Sequence, residues 1–186
     1  MGCWGGGEHK EGIDGVANPA ANISNAPIEA IENSGPIRVE RYELVADSGG
    51  PGEWRGGMAV VRELRYLGES ARLQLRSDRR DHPPFGVNGG GSGAPSDNIF
   101  YNGEDWEKLP TKFVKPIKRG QSIRHTTAGG GGYGDPFARP PDSPARPAPL
   151  AVGGRGGAPP RQHRPPPTPP HSRAAERAQL RHGGPP

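Results

Sequence analysis

Ala71-Arg72-Leu73-Gln74-Leu75-Arg76 alternates apolar and polar side chains residue by residue, the period of a strand with one face on a core. Upstream, over 58–67, Met58, Val60, Leu64 and Tyr66 share a face that Arg62 interrupts. Before that, residues 37–45 read as a strand whose apolar positions change phase between Val39 and Tyr42, which predicts a bulge or two partly buried faces. Downstream, 99–101, Asn102-Gly103 and 104–106 read as a hairpin with a type I′ turn, because Asn-Gly supplies two positive φ angles. Residues 113–117 and 121–127 add strands joined at Arg119-Gly120. One helical turn is expected over 27–33, with Pro27 at its start, Glu29 and Glu32 near its positive end, and Gly35-Pro36 stopping it. Short strands between Gly/Pro turns predict a mainly β domain, small and barrel- or sandwich-like. Its long glycine-rich loops, 86–98 and 129–136, are of the kind that more often surround a site than merely connect strands.

Composition narrows the classes. The 186 residues include 31 Gly and 24 Pro, and only 30% are hydrophobic, against ~45–50% in an ordinary globular chain. No apolar run approaches the ~18–20 residues of a membrane-spanning helix. A coiled coil or a packed helical bundle is equally excluded. The single cysteine, Cys3, rules out an internal disulfide framework and a Cys-rich zinc site. Charge is divided unevenly: residues 138–186 hold 8 Lys+Arg, 2 Asp+Glu, 14 Pro and no Phe, Trp or Tyr, whereas 1–137 are net negative. Three regions are therefore expected: an irregular Gly/Asn-rich lead over 1–26, a β-rich region over 27–137, and a disordered basic tail over 138–186. The first residues show no secretory pattern, and Gly6 stands where a myristoylation start wants Ser or Thr. Asn22-Ile23-Ser24 fits a glycosylation acceptor but means little without secretion, so a cytoplasmic protein is the expectation.

Several motifs invite chemistry. Asp47-Ser48-Gly49-Gly50-Pro51 looks like the nucleophile stretch of chymotrypsin-like proteases, but only His9 lies upstream to serve as base, and the turn reading prevails. Gly129, Gly131 and Gly134 satisfy a bare GxGxxG, yet Asp135-Pro136 follows instead of a helix; a glycine-lined surface that lets backbone approach another chain or a ligand fits better. There is no Gly-Lys-Ser/Thr phosphate loop, and Gly90-Gly91-Ser92-Gly93-Ala94 ends in the wrong residue for a nucleophile elbow. His9, His82 and His125 are far apart, and Asp81-His82 beside Pro83-Pro84 is at most a site fragment, so no metal ligand is assigned. Arg76, Arg79 and Arg80 with Asp78 cluster after a strand, either as a solvated strand end or as a carboxylate, phosphate or interface contact. In the tail, a single Arg-Gly unit at 153–157 and a proline run at 165–170 come without aromatics, which argues against a nucleic-acid partner.

Taken in order, six stretches resemble the hydantoinase B/oxoprolinase family. They are Asn25-Ala26-Pro27-Ile28-Glu29-Ala30-Ile31-Glu32, Pro36-Ile37-Arg38-Val39-Glu40-Arg41-Tyr42-Glu43-Leu44, the run 48–57 (SGGPGEWRGG), Val61-Arg62-Glu63-Leu64, Ser77-Asp78-Arg79-Arg80, and the run 129–136 (GGGGYGDP). The resemblance covers roughly 10–137 and the C-terminal part of the family's much longer chains. It implies ATP-dependent hydrolysis of a cyclic amide such as hydantoin or 5-oxoproline, through phosphoryl activation of the carbonyl. A hydantoinase A-type partner would bind ATP, and a divalent metal is implied for the complete complex but not for this chain alone. By the same resemblance, Arg79, Arg80, Gly129, Gly130, Gly131, Gly132 and Tyr133 are the candidate substrate or interface residues, and no catalytic residue is assigned. The expected reading is a C-terminal portion, inactive alone, with 138–186 resembling a GC-rich frame translated out of register. The competing class is a non-enzymatic β module whose basic tail binds a protein or a polyanion.

Overall fold

The computed structural model describes residues 2–17 and 24–140. A short helix, α1 (Ile28–Ser34), follows Pro27 at its N-cap and ends at Gly35. Seven strands come next: β1 (Ile37–Leu44), β2 (Val60–Tyr66), β3 (Ser70–Arg76), β4 (Asp97–Tyr101), β5 (Trp106–Lys108), β6 (Lys112–Lys118) and β7 (Ser122–Thr126). Five form an antiparallel sheet in the order β1-β2-β7-β4-β5; β3 and β6 form a separate antiparallel pair. The phase change in β1 is a real irregularity, with the register against β2 slipping between Val39 and Arg41.

The alternation in 71–76 does what it predicts. Leu73 and Leu75 of β3, with Phe113 and Ile117 of β6, face Phe100, Ile123, Leu64 and Tyr66 of the large sheet, and Leu109 closes the cluster. Phe100 is fully buried. This is a two-layer β arrangement without a closed barrel, so of the two expected forms the sandwich-like one holds. Two sheets suffice here because the small β3–β6 pair caps the core instead of curling around to close it.

The glycine-rich loops form a second packed region with hardly any side chains. Gly129–Gly132 exchange backbone hydrogen bonds with three other segments: Gly6 N–H donates to Gly131 O (2.8 Å), Gly50 N–H to Gly130 O (2.7 Å), Gly130 N–H to Gly57 O and Gly129 N–H to Ala94 O (both 2.9 Å). A β-strand has two hydrogen-bonded neighbours; this segment has three. The reason is visible in what a Cβ would meet. At Gly129, Gly130, Gly131 and Gly132 it would come within 3.0 Å of the carbonyls of Ser48, Trp4, Phe85 and Pro51 in turn. The direction thus cycles among the neighbouring segments and returns after three residues, the period of a polyproline II-type helix. The expected approach of glycine backbone to a partner is therefore an approach to this chain's own backbone.

Other expectations are adjusted. The turn at Asn102-Gly103 is a four-residue loop between Tyr101 and Trp106, not a two-residue type I′ turn. Only Gly103 has positive φ there (115°); Asn102 instead accepts hydrogen bonds from Glu104 and Asp105 N–H through its Oδ1, and this side-chain bond replaces the second positive φ. The lead has no regular strand or helix over 2–17, yet it packs into the glycine bundle: Trp4 O accepts from Gly57 N–H and Gly12 N–H donates to Arg55 O. At the other end Arg139 pairs with Glu11 (2.8 Å) and donates to Glu53 O. The remainder of the expected tail, 141–186, lies outside the described residues, as do Asn22 and Ile23.

Candidate functional site

The site grows out of one row of the large sheet. Leu64, Ile123 and Phe100 sit side by side on β2, β7 and β4, all facing the core. Two residues further along each strand, on the same face, the register places Arg62, His125 and Asn98. A hydrophobic row is thus followed at once by a polar one. That row marks where the sheet core ends and the glycine bundle begins.

Above it opens a cavity of about 500 Å³, lined among others by Arg76, Arg79, His125, Cys3, Gly129 and Gly131. Its floor is a buried polar network. Asn98 is fully buried; its Nδ2 donates to Ser77 Oγ (2.8 Å) and to Pro110 O (3.1 Å). The Asn98 amide is thereby oriented with Oδ1 toward His125 Nδ1, 2.7 Å away. Since that oxygen only accepts, Nδ1 carries the proton, and in the neutral ring Nε2 is the acceptor nitrogen. Burial, helped by the positive charge of Arg62, holds His125 below the usual imidazole value, so the neutral form is the one favoured.

The other nucleophile-like groups are disarmed. Burial, with the Asp14 carboxylate nearby, pushes the Cys3 thiol up to about 11, and its Sγ donates to Ala128 O (3.1 Å). Ser48 is 2% exposed; its hydroxyl donates to Val45 O and accepts from Ala59 N–H, which makes it a turn clamp. Among the described residues no three His, Cys, Asp or Glu side chains stand together as a metal set.

Of the residues singled out from sequence, Arg79, Gly129, Gly130 and Gly131 meet at this cavity. Arg80 turns away, donating to Leu109 O (2.6 Å) beside Asp97. Gly132 lies against Pro51, and Tyr133 pairs its backbone with Trp54 and receives the Asn88 amide on its hydroxyl. The N–H groups of Gly129, Gly130, Gly132, Tyr133 and Gly134 all donate to backbone carbonyls. Only that of Gly131 has no such acceptor among the described residues. Sequence reasoning missed Asn98 and the role of His125. The nearest signal, Arg62 breaking the apolar face of β2, points elsewhere: its guanidinium meets Asn25 and Tyr42.

A two-layer β module sealed to a glycine bundle, with a cationic cavity at the seam, is the class that fold and site define. The profile of the hydantoinase B/oxoprolinase family matches residues 1–136, and the chain belongs to that family. It is 35% identical over 144 residues to a protein provisionally named as the B-type component of a D-/L-hydantoinase from Pseudomonas sp. (strain NS671), covering 76% of this chain and 24% of that one. It is 31% identical over 131 residues to 5-oxoprolinase of Dictyostelium discoideum, covering 70% and 10%. Among solved structures, the ATP-dependent caprolactamase from Pseudomonas jessenii superposes with a TM-score of 0.59 at 25% identity, over 74% of this chain and 25% of that one. The chain spans a quarter or less of the length of these relatives.

Proposed function

We propose that the chain provides the glycine-bundle portion of a B-type polypeptide that hydrolyses a cyclic amide in an ATP-dependent reaction with an A-type partner. The observation carrying this reading is the cavity that brings Arg79 and Gly129–Gly131 together with Arg76 and the neutral ring of His125, within a chain that is family sequence over residues 1–136. An unstrained amide needs its carbonyl activated before water can open it. In this reading ATP supplies that activation by phosphorylating the carbonyl oxygen, and the nucleotide contacts belong to the partner. The described residues do not fit a divalent metal: no three His, Cys, Asp or Glu side chains among them stand together, and the one carboxylate in the cavity lining, Asp78, sits between Arg76 and Arg79 and pairs with Lys112. This chain's own residues bind and orient. Arg76 and Arg79 attract negative charge, Gly131 presents an N–H, and the acceptor Nε2 of His125 holds or accepts a proton. Arg80 and Tyr133 act on the scaffold, through Leu109 and Asn88.

Measurement of coupled ADP release and ring opening tests the proposal. The purified chain is expected to show no turnover with hydantoin or 5-oxoproline. Turnover is expected when an A-type partner and the remaining portion of a B-type chain are supplied. Turnover by this chain alone would overturn the division of labour, and none in the complete assembly would overturn the activity.

A further inference from the structure

An outer strand edge presents a row of N–H and C=O groups, and folded chains ordinarily blunt it. Among the described residues the two sheets have four such edges, and three are interrupted or short. At β1, Ile37 N–H donates to Gly35 O (2.7 Å) and Val39 N–H to the Glu32 carboxylate of α1 (2.9 Å). β5 is three residues long. On β6, Pro116 has no N–H, and Gln121 occupies both backbone groups of Lys118: its Oε1 accepts from the N–H (2.8 Å) and its own N–H donates to the carbonyl (3.1 Å). β3 differs, with seven residues and no proline.

The register fixes which groups of β3 face outward. Ser77 N–H donates to Thr111 O (2.8 Å), one step beyond the paired Arg76 and Lys112. Hydrogen-bonded pairs alternate along an antiparallel ladder. Leu75, Leu73 and Ala71 therefore bond across to β6, while the N–H and C=O of Arg76, Gln74, Arg72 and Ser70 point to the open edge. Pro116 agrees with this phase: it lies opposite Arg72, where β6 needs no N–H for the ladder. Ser70 O accepts from the Tyr66 hydroxyl (3.0 Å). Among the described residues, nothing hydrogen-bonds the outward backbone groups of Arg72 and Gln74.

The side chains add a pattern to that edge. Ser70, Arg72, Gln74 and Arg76 are exposed, as are Lys118, Pro116, Val114 and Lys112 opposite them. This face holds four cations and no carboxylate. Glu69 and Asp78 stand just beyond the ends of β3, Asp78 at 3.9 Å from Lys112. Arg76 opposite Lys112 sets like charges side by side, which costs stability unless an anion offsets it. The other face of β3 carries Ala71, exposed, with Leu73 and Leu75 half-buried, so apolar surface stays open along the same edge.

We propose that the open edge of β3 is a docking site for an extended strand of a second polypeptide, one that alternates carboxylate and apolar side chains. Backbone hydrogen bonds to Arg72 and Gln74 extend the β3–β6 pair to three strands. Same-face side chains of a strand recur at about 6.6–6.8 Å. Carboxylates of the added strand thus line up with the arginines on one face, and its apolar residues cover Leu73 and Leu75 on the other. A second copy of this chain is the wrong occupant, because pairing β3 with β3 doubles the cations on one face. The site needs neither the cavity nor the activity proposed above.

The test uses the full chain, labelled with nitrogen-15, and three capped ten-residue peptides: Glu-Val repeated five times, five Glu followed by five Val, and Lys-Val repeated five times. Residues 138–186 hold 8 Lys+Arg against 2 Asp+Glu and attract any polyanion. The readout is therefore position-specific: solvent exchange of the Arg72 and Gln74 amide protons. The Glu-Val repeat should bind saturably and slow both at least tenfold, leaving Val114 on β6 unchanged. Arg72→Glu, at an exposed position, should keep the melting temperature and weaken this binding at least fivefold. Gln74→Pro, which removes an outward N–H and no bond to β6, should weaken it as well. No saturable binding, equal binding by either control peptide, binding that leaves the Arg72 and Gln74 amides unprotected, or full binding by Arg72→Glu would each overturn the proposal. Protection already present in the free chain and lost on dilution would assign the edge to self-association instead. Equal protection by heparin, a polyanion with no peptide backbone, would reduce the edge to a charged surface and likewise overturn it.

Discussion

The sheet core and the glycine bundle solve one problem in opposite ways. Between the sheets, side chains such as Phe100, Ile117 and Ile123 fill the gap and exclude water. That is hydrophobic burial, about 1.5–3 kcal/mol for each large side chain. In the bundle there are hardly any side chains to bury, and backbone carbonyls stand where the Cβ atoms of Gly129–Gly132 would be. Its order comes from hydrogen bonds running to three neighbours at 2.7–3.0 Å, each contributing about 0.5–1.5 kcal/mol net. The first region tolerates a change of shape by shifting rotamers. The second has no rotamers to shift. Glycine content, which lowers the expected core size, is here the packing material itself.

The sharpest way to break this comparison is Gly129→Ala. The added methyl would fall well inside 3.0 Å of Ser48 O, with backbone on both sides and nothing flexible to yield. Loss of the cooperative thermal transition is expected, since the clash exceeds the roughly 1–3 kcal/mol of ordinary overpacking. Phe100→Ala, by contrast, should leave a folded protein destabilised by about 3–5 kcal/mol, read from the denaturant midpoint. If the alanine at 129 proves milder than the one at 100, the bundle is the more compliant region and the contrast fails.

The sequence was unequally legible across these two regions for the same physical reason. Strand periodicity is written in side chains, so 71–76, 58–67 and the slip after Val39 were readable. The bundle writes its structure in the absence of side chains. Gly129–Gly132 look alike in sequence, and nothing local reveals that their directions cycle among three neighbouring segments. The site follows the same divide. Arg79 and the glycine run could be singled out from their motifs. Asn98 could not, because its importance lies in reaching Ser77, Pro110 and His125 across 21, 12 and 27 residues of chain.

A smaller effect sharpens the distinction between two kinds of glycine. Gly103 has φ 115° but nothing within 4 Å of a built Cβ. It is required for conformation and not for space. Gly103→Val should therefore destabilise by about 1–2 kcal/mol and leave the transition cooperative, whereas any side chain at Gly129 should not. A collapse of the fold on changing Gly103 would show that the loop between Tyr101 and Trp106 is a structural nucleus and not a surface turn.

The smallest expected effect lies at the seam between the regions, and pH reads it. Burial, helped by the Arg62 charge and opposed by a hydrogen bond to the Asp97 backbone, lowers the His125 pKa from 6.5. The unfolded chain therefore takes up a proton at this histidine at higher pH than the folded one does. The stability it contributes is fully present above 6.5 and is lost as pH falls through the lowered folded value. A protonated ring keeps its Nδ1–H bond to Asn98 but loses the acceptor Nε2 and places a charge where burial disfavours it. Denaturant midpoints measured across this range should fall with pH, and the slope should flatten in His125→Gln, whatever that variant's stability at neutral pH. An equal slope in the variant would assign the pH dependence to other groups and remove the neutral imidazole from the account of the cavity.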